Sequence, residues 1–227
     1  LSLSVSAFAP CDDVRGALTP QLRLDCGPTV LVLADLAPGR ARLGGSVLAQ
    51  VFGQVGNEAP DVDDPAAIRG LFAALRDLRQ AGRILAYHDR SDGGLFVALC
   101  EMAFAGRAGI AIDADAVAGA AARDLPNAAL LAGLFAEELG AVIQVREDDA
   151  AAVLEAFARH GVAARVVARP EAGGRVAVVR GGDTVFGRSR VDLHRAWSET
   201  TWQLQSMRDN PACARQEYDR ILDRDDP

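Results

Sequence analysis

Apolar and polar positions change period along the chain, and each change marks an element. Leu1, Leu3, Val5 and Ala7 alternate with Ser2, Ser4 and Ser6, the period of a half-buried strand that Pro10 would end. Thr29 to Ala34 is an apolar run stopped by Asp35, Pro38 and Gly39, and reads as a second strand. Gly44 to Gln54 is small and apolar at helical spacing and predicts a short buried helix. The strongest helix signal follows: Asp63 or Asp64 can cap, Pro65 fits the first turn, and Ile68, Leu71, Phe72, Leu75 and Leu78 share one face before Gly82.

Ile84 to Tyr87 predicts a short strand, His88 to Gly94 a polar loop, and Leu95 to Phe104 a helix ending at Gly106. Gly109 to Ile112 reads as strand, Ala114 to Ala122 as loop or frayed helix, and Asn127 to Phe135 as helix. Ala141 to Val145 and Ala163 to Val167 read as strands around an amphipathic helix, Asp148 to His160. Arg175 to Val179 and Thr184 to Phe186 flank Gly181-Gly182-Asp183, a hairpin turn. Crossovers mixed with a hairpin imply an α/β (α+β) fold with a layered mixed sheet. Val191 to Met207 predicts a helix carrying Trp197 and Trp202 near one face, closed by Asn210-Pro211. The last sixteen residues are polar and read as a linker. The alternation at the first residues suggests a chain that begins inside a folded unit.

The 227 residues, half of them apolar, suffice for one large or two small domains with a real core. A net charge of -7 argues against nucleic acid as a partner. All 24 basic residues are Arg, which removes every lysine nucleophile, base or phosphate contact. Cys11, Cys26, Cys100 and Cys213 form no CxxC pair, and His88, His160 and His194 stand far apart, so no zinc spacing exists. Such cysteines are expected as buried reduced thiols, and with no apolar run approaching a membrane span they predict a cytoplasmic setting. GxSxG, HExxH and GxGxxG motifs are absent.

Candidate chemistry concentrates in YHDRSDGG, Tyr87 to Gly94, where a strand gives way to a helix. Helix-start N–H groups carry partial positive charge, two glycines permit close approach of a ligand, and Ser91 could donate to a phosphate oxygen. Asp89 and Asp92 would repel a bare phosphate but could hold Mg2+ that bridges to one. The structural reading stands beside this one: Ser and Asp ahead of a helix are ordinary caps, and DGG is an ordinary turn. His88 reads as orienting the loop. Glu137 and Glu138 could hold metal but are expected to be solvated. Asp12, Asp13 and Arg15 read as a local turn with a surface pair. The tryptophan helix reads as a packing face, and as a docking surface if exposed.

Four long stretches in order, SVSAFAPCDDVRGALTPQLR, LAYHDRSDGGLFVALCEMAFAG, FAEELGAVIQV and WSETTWQLQSMRDNP, closely resemble bacterial phosphoribosylformylglycinamidine synthases of the large, single-chain type. The resemblance covers nearly the whole chain. It implies a fragment: residues 1–190 as the second C-type lobe, like the C-terminal domain of aminoimidazole ribonucleotide synthetase and partly ferredoxin-like, and residues 191–227 as a helix and linker toward an absent glutaminase domain. Family members convert formylglycinamide ribonucleotide (FGAR), glutamine and ATP to formylglycinamidine ribonucleotide (FGAM), glutamate, ADP and phosphate in purine biosynthesis. Carried over, the resemblance implies Asp89 as a Mg2+ ligand and Ser91 as an ATP or ADP contact, with a structural rather than a catalytic nucleotide site preferred. It implies the remaining synthetase lobes and the glutaminase domain as partners, and no activity in the fragment alone. A non-catalytic α/β interaction module is the alternative, and a magnesium-dependent phosphohydrolase using Asp89 and Asp92 a third reading.

Overall fold

The computed structural model describes residues 4–10, 13–118 and 127–223. Leu1, Leu3, Cys11, Asp12 and the later part of the Ala-rich stretch therefore lie outside the described residues. Seven strands form one mixed sheet: β1 (Thr29–Asp35), β2 (Ala86–Asp89), β3 (Gly109–Asp113), β4 (Gly140–Arg146), β5 (Ala163–Glu171), β6 (Arg175–Arg180) and β7 (Asp183–Ser189). Their order is β2-β4-β1-β5-β3-β6-β7. All neighbours are antiparallel except β3 and β6. The helices are α1 (Val47–Val51), α2 (Pro65–Gln80), α3 (Gly94–Gly106), α4 (Ala114–Ala118), α5 (Asn127–Phe135), α6 (Ala150–Arg159), α7 (Arg190–Arg208) and α8 (Pro211–Asp219).

Within this sheet β1-α2-β2 and β4-α6-β5 make the ferredoxin-like unit that the resemblance implied, with residues 90–139 inserted between its two halves. Strand alternation sorts the core into two layers. Val30, Val32 and Ala34 of β1 with Ile143 and Val145 of β4 meet Leu71, Ala74 and Leu78 of α2 and Val153, Ala156 and Phe157 of α6. Leu31, Leu33 and Val142 face the other way, onto Leu95, Leu99 and Met102 of α3 and Leu130 and Leu134 of α5. Every residue of β1 is buried, as a central strand covered on both faces must be.

Local signals were realised closely where they were strong. Asp64 caps α2 by accepting from the Ala66 N–H, Pro65 takes the first turn, and Gly82 follows at φ +65°. Phe72, expected on the buried face, is exposed. Arg180 pairs with Asp183 across a two-residue turn in which Gly181 and Gly182 adopt φ +56° and +92°, a backbone that side chains resist. Asp13 caps a turn of 3-10 helix and pairs with Arg15 at 2.8 Å.

Five expectations are corrected. Residues 4–10 form no strand; Val5 and Phe8 are exposed, so their alternation has no sheet to pair with. Residues 44–54 contain only the five-residue α1, and its apolar face is bare at Val51 and Phe52, because the loop closes on itself through Gly44 N–H to Glu58 O and Gly45 N–H to Val55 O. The polar tail begins with a helix, α8, capped by Asn210, whose Ala214 and Tyr218 are buried against α7. The tryptophans also point apart. Trp197 faces Phe104 of α3, whereas Trp202 stacks on Tyr218 at 4.7 Å. Of the described cysteines only Cys100 is buried, and burial pushes its thiol up to about 12.

Candidate functional site

β1 and β2 run in the same direction, so Asp35 and Asp89, their last residues, lie at one end of the sheet, where β4 begins. Arg90 turns inward there. Its backbone N–H donates to Gly140 O at 2.9 Å. Its guanidinium donates to Asp35 Oδ1 and to Leu139 O, each at 2.8 Å, and also to Glu138 O. Arg165 of β5 reaches the second oxygen of Asp35 at 3.0 Å. Burial alone would raise the Asp35 carboxyl, but the charges and hydrogen bonds of Arg90 and Arg165 outweigh it and hold the group below the usual carboxylate range. Beside this triad, Arg42 grips the fully buried Glu138 at 2.8 and 2.7 Å and reaches on to Asp63. The long loop from β1 to α2 is thereby fastened to the start of β4.

On this charged base stands the YHDRSDGG turn. Asp89 is exposed, and the Tyr87 hydroxyl donates to its Oδ1, leaving Oδ2 open. Burial, with that carboxylate beside it, pushes the Tyr87 phenol well above its usual range, so it remains a donor. Ser91 and Asp92 are exposed as well. Gly93 and Gly94 both have positive φ, at +79° and +69°. A Cβ on Gly94 would lie 2.7 Å from the Phe135 backbone, so close packing of α3 on the end of α5 requires glycine here. The Gly93 N–H donates to Glu137 Oε1 at 2.8 Å, and the Gly94 N–H to Ser91 O at 2.9 Å. These two helix-start donors, counted in the sequence as free for an anion, are thus already used by the chain itself.

His88 orients the loop, as expected. Its Nδ1 lies 2.8 Å from Asp89 O and its Nε2 3.0 Å from Glu101 Oε2. The Glu101 hydrogen bond raises the imidazole above its ordinary value, against the opposing effect of burial.

The glutamates correct the sequence reading: Glu138 is buried with Arg42, and Glu137 accepts from the Gly93 and Val47 N–H groups, so neither is simply solvated. Arg90, Asp35, Arg165 and Arg42 were not singled out from the sequence. The only local hint was an arginine set between two aspartates in a turn.

For Mg2+ the residues offer one open carboxylate oxygen on Asp89 and the Asp92 carboxylate three positions on. Among the described residues no group of three or more His, Cys, Asp or Glu side chains could hold a metal by itself. That suits an ion taking few protein ligands and the rest from phosphate and water, and no ion held by protein alone. A cavity of about 380 Å³ adjoins the Arg90 triad, lined by Asp35, Arg40, Arg165 and Ala132. Among the described residues no helix is long and apolar enough to cross a membrane.

A mixed sheet built on a ferredoxin-like unit, with a glycine-rich acidic turn at one end, defines an α/β lobe. Residues 27–181 match the model of the AIR synthase related protein C-terminal domain, and the chain belongs to that family. Two solved structures of the PurL protein of Thermotoga maritima share the fold. The one complexed with FGAR is 20% identical with a TM-score of 0.63, over 79% of this chain and 30% of that one. The one complexed with ATP is 17% identical with a TM-score of 0.59, over 78% and 27%. A phosphoribosylformylglycinamidine synthase II from the same organism is similar at 17% identity and a TM-score of 0.57, over 76% and 26%. The chain spans less than a third of the length of these proteins.

Proposed function

We propose that this chain is the C-type lobe of an ATP-dependent phosphoribosylformylglycinamidine synthase of the large type, and that it contributes magnesium and nucleotide contacts together with interdomain packing. The observation that carries the reading is the exposed pair Asp89 and Ser91, held beside the buried Arg90 and Asp35 pair and its half-buried partner Arg165 in a family member. Relatives by fold were solved with ATP and with FGAR, which supports a nucleotide-using role in purine synthesis. In this reading the Asp89 Oδ2 oxygen binds Mg2+, and Ser91 donates its hydroxyl to a phosphate oxygen of ATP or ADP. Magnesium, when bound, offsets phosphate charge. The N-type lobes supply the rest of the site, residues 191–227 lead toward a glutaminase domain that delivers ammonia, and the setting is cytoplasmic.

Binding of ADP to the whole protein, followed by calorimetry with and without Mg2+, tests this. We expect Mg2+-dependent binding that Asp89→Ala weakens by about a hundredfold and Ser91→Ala by about tenfold, the scale of charged and neutral hydrogen bonds. Unchanged affinity in both variants would sink the reading. One observation favours a second reading, a non-catalytic interaction module: Val51, Phe52 and Val55 are exposed together on the loop carrying α1. An interaction module would show no nucleotide response at all.

A further inference from the structure

We propose that Glu101 is a positioning residue for the Asp89 loop, fastening it to α7 through His88 on one side and Trp197 on the other. The inference deepens the nucleotide and magnesium reading of that loop and rests on it for its functional meaning. Its structural core stands on its own geometry.

Glu101 is the one charged residue of α3, whose other twelve positions are apolar or glycine. A half-buried carboxylate on such a helix costs free energy unless its oxygens are partnered. Both are. Oε2 lies 3.0 Å from His88 Nε2, and Oε1 accepts from the Trp197 indole N–H at 3.0 Å. The His88 ring is held at its far side as well, with Nδ1 2.8 Å from the carbonyl oxygen of Asp89. Three successive links therefore run from the middle of α7, through α3, to the peptide that carries the candidate metal ligand.

The place where these links end explains why they matter. β2 has four residues and lies at the sheet edge with β4 as its strand neighbour; on its outer side the Tyr87 N–H donates to Thr19 O at 2.9 Å, two residues short of Asp89. Asp89 is its last residue, so its carbonyl sits where a short edge strand frays most readily. The Asp89 side chain leaves on the face of Tyr87, and the His88 side chain on the opposite one. Tyr87 steadies the carboxylate from the first face, while His88 and Glu101 steady the peptide from the second. Further support for α7 comes from His194, whose ring stacks on Phe104 of α3 at 4.5 Å. A displacement of α7 across α3 accordingly reaches the Asp89 peptide through hydrogen bonds rather than through loose packing.

Amide hydrogen exchange on the whole protein tests the link without any ligand. The reporters are Arg90 N–H, bonded to Gly140 O, and Gly94 N–H, bonded to Ser91 O. Glu101→Ala is expected to speed their exchange by about tenfold or more, the loss of roughly one charged hydrogen bond. Glu101→Gln should stay within about twofold, because a carboxamide can accept from the indole with its oxygen and donate to a neutral imidazole with its nitrogen. Trp197→Phe removes the outermost link alone, and is expected to give about threefold. It also serves as the test should the alanine variant fail to fold. Glu155→Ala, on the exposed face of α6, is the control. The proposal falls if Glu101→Ala and Glu101→Gln behave alike, or if neither Glu101→Ala nor Trp197→Phe exceeds the control. Mg2+–ADP affinity separates the two readings. If Asp89→Ala and Ser91→Ala both leave it unchanged, the nucleotide reading falls, while the exchange data still decide the role of Glu101. If Asp89→Ala weakens it as expected and Glu101→Ala does not weaken it, Glu101 is not a positioning residue.

Discussion

At the scale of single residues, the buried Asp35 carboxylate organises the end of the sheet. It accepts from two arginines, Arg90 and Arg165, that come from 55 and 130 residues away. Asp35→Asn would leave two guanidinium groups sharing one neutral oxygen, and we expect it to cost about 3 kcal/mol in urea unfolding at neutral pH. The pH dependence carries a definite sign. The folded carboxyl titrates below its unfolded value of about 3.9, so its stabilisation is complete above that pH and lost as pH falls through the folded value. The variant should therefore lose less stability on acidification than the parent. The sequence marked Asp35 as the stop of an apolar run, and nothing more, because the partners that give it meaning are distant in the chain. The exposed turn that carries Asp89 and Ser91 was legible as a polar strand-to-helix motif, because its signal is local. The charges beneath them were not, since an arginine in a turn looks the same whether it faces water or a buried aspartate.

At the scale of elements, legibility followed the strength of end signals. α2 was readable from Asp64, Pro65 and Gly82, and α5 from its unbroken apolar run, whereas α8 was missed. Asn210-Pro211 reads equally as the stop of one helix and the cap and first turn of the next, and only Ala214 and Tyr218 of α8 are buried. What holds α8 is aromatic. Tyr218 stacks on Trp202 at 4.7 Å and lies under the Arg195 guanidinium at 4.0 Å. Tyr218→Ala is expected to cost about 3 kcal/mol of α8 docking and leave the sheet intact. Limited trypsin digestion would then cut after Arg215 at least tenfold faster, while the urea midpoint of the sheet hardly moves. Equal cleavage in parent and variant would show that α8 is held by something else. The opening alternation of Ser and apolar residues illustrates the converse: a strand pattern yields a strand only where a partner edge is free to receive it.

At the scale of the whole molecule, the α/β class followed from the alternation of elements, and the ferredoxin-like unit from the family resemblance. Neither revealed that β3 joins the sheet beyond β5, nor that it pairs in parallel with β6. Pairings between segments far apart in the chain leave no local mark, since each strand satisfies its own period whichever neighbour it takes. The order β2-β4-β1-β5-β3-β6-β7 has a consequence for how the protein can be divided. Take the chain as two polypeptides, separated between Ala118 and Asn127: the first carries β1, β2 and β3, and the second all the others. No two strands of the first piece are neighbours, so alone it can build no part of the native ladder. Mixed, the halves must interdigitate like the teeth of two combs, and we expect them to co-purify as a one-to-one heterodimer with parent-like circular dichroism, while the first half by itself stays unfolded.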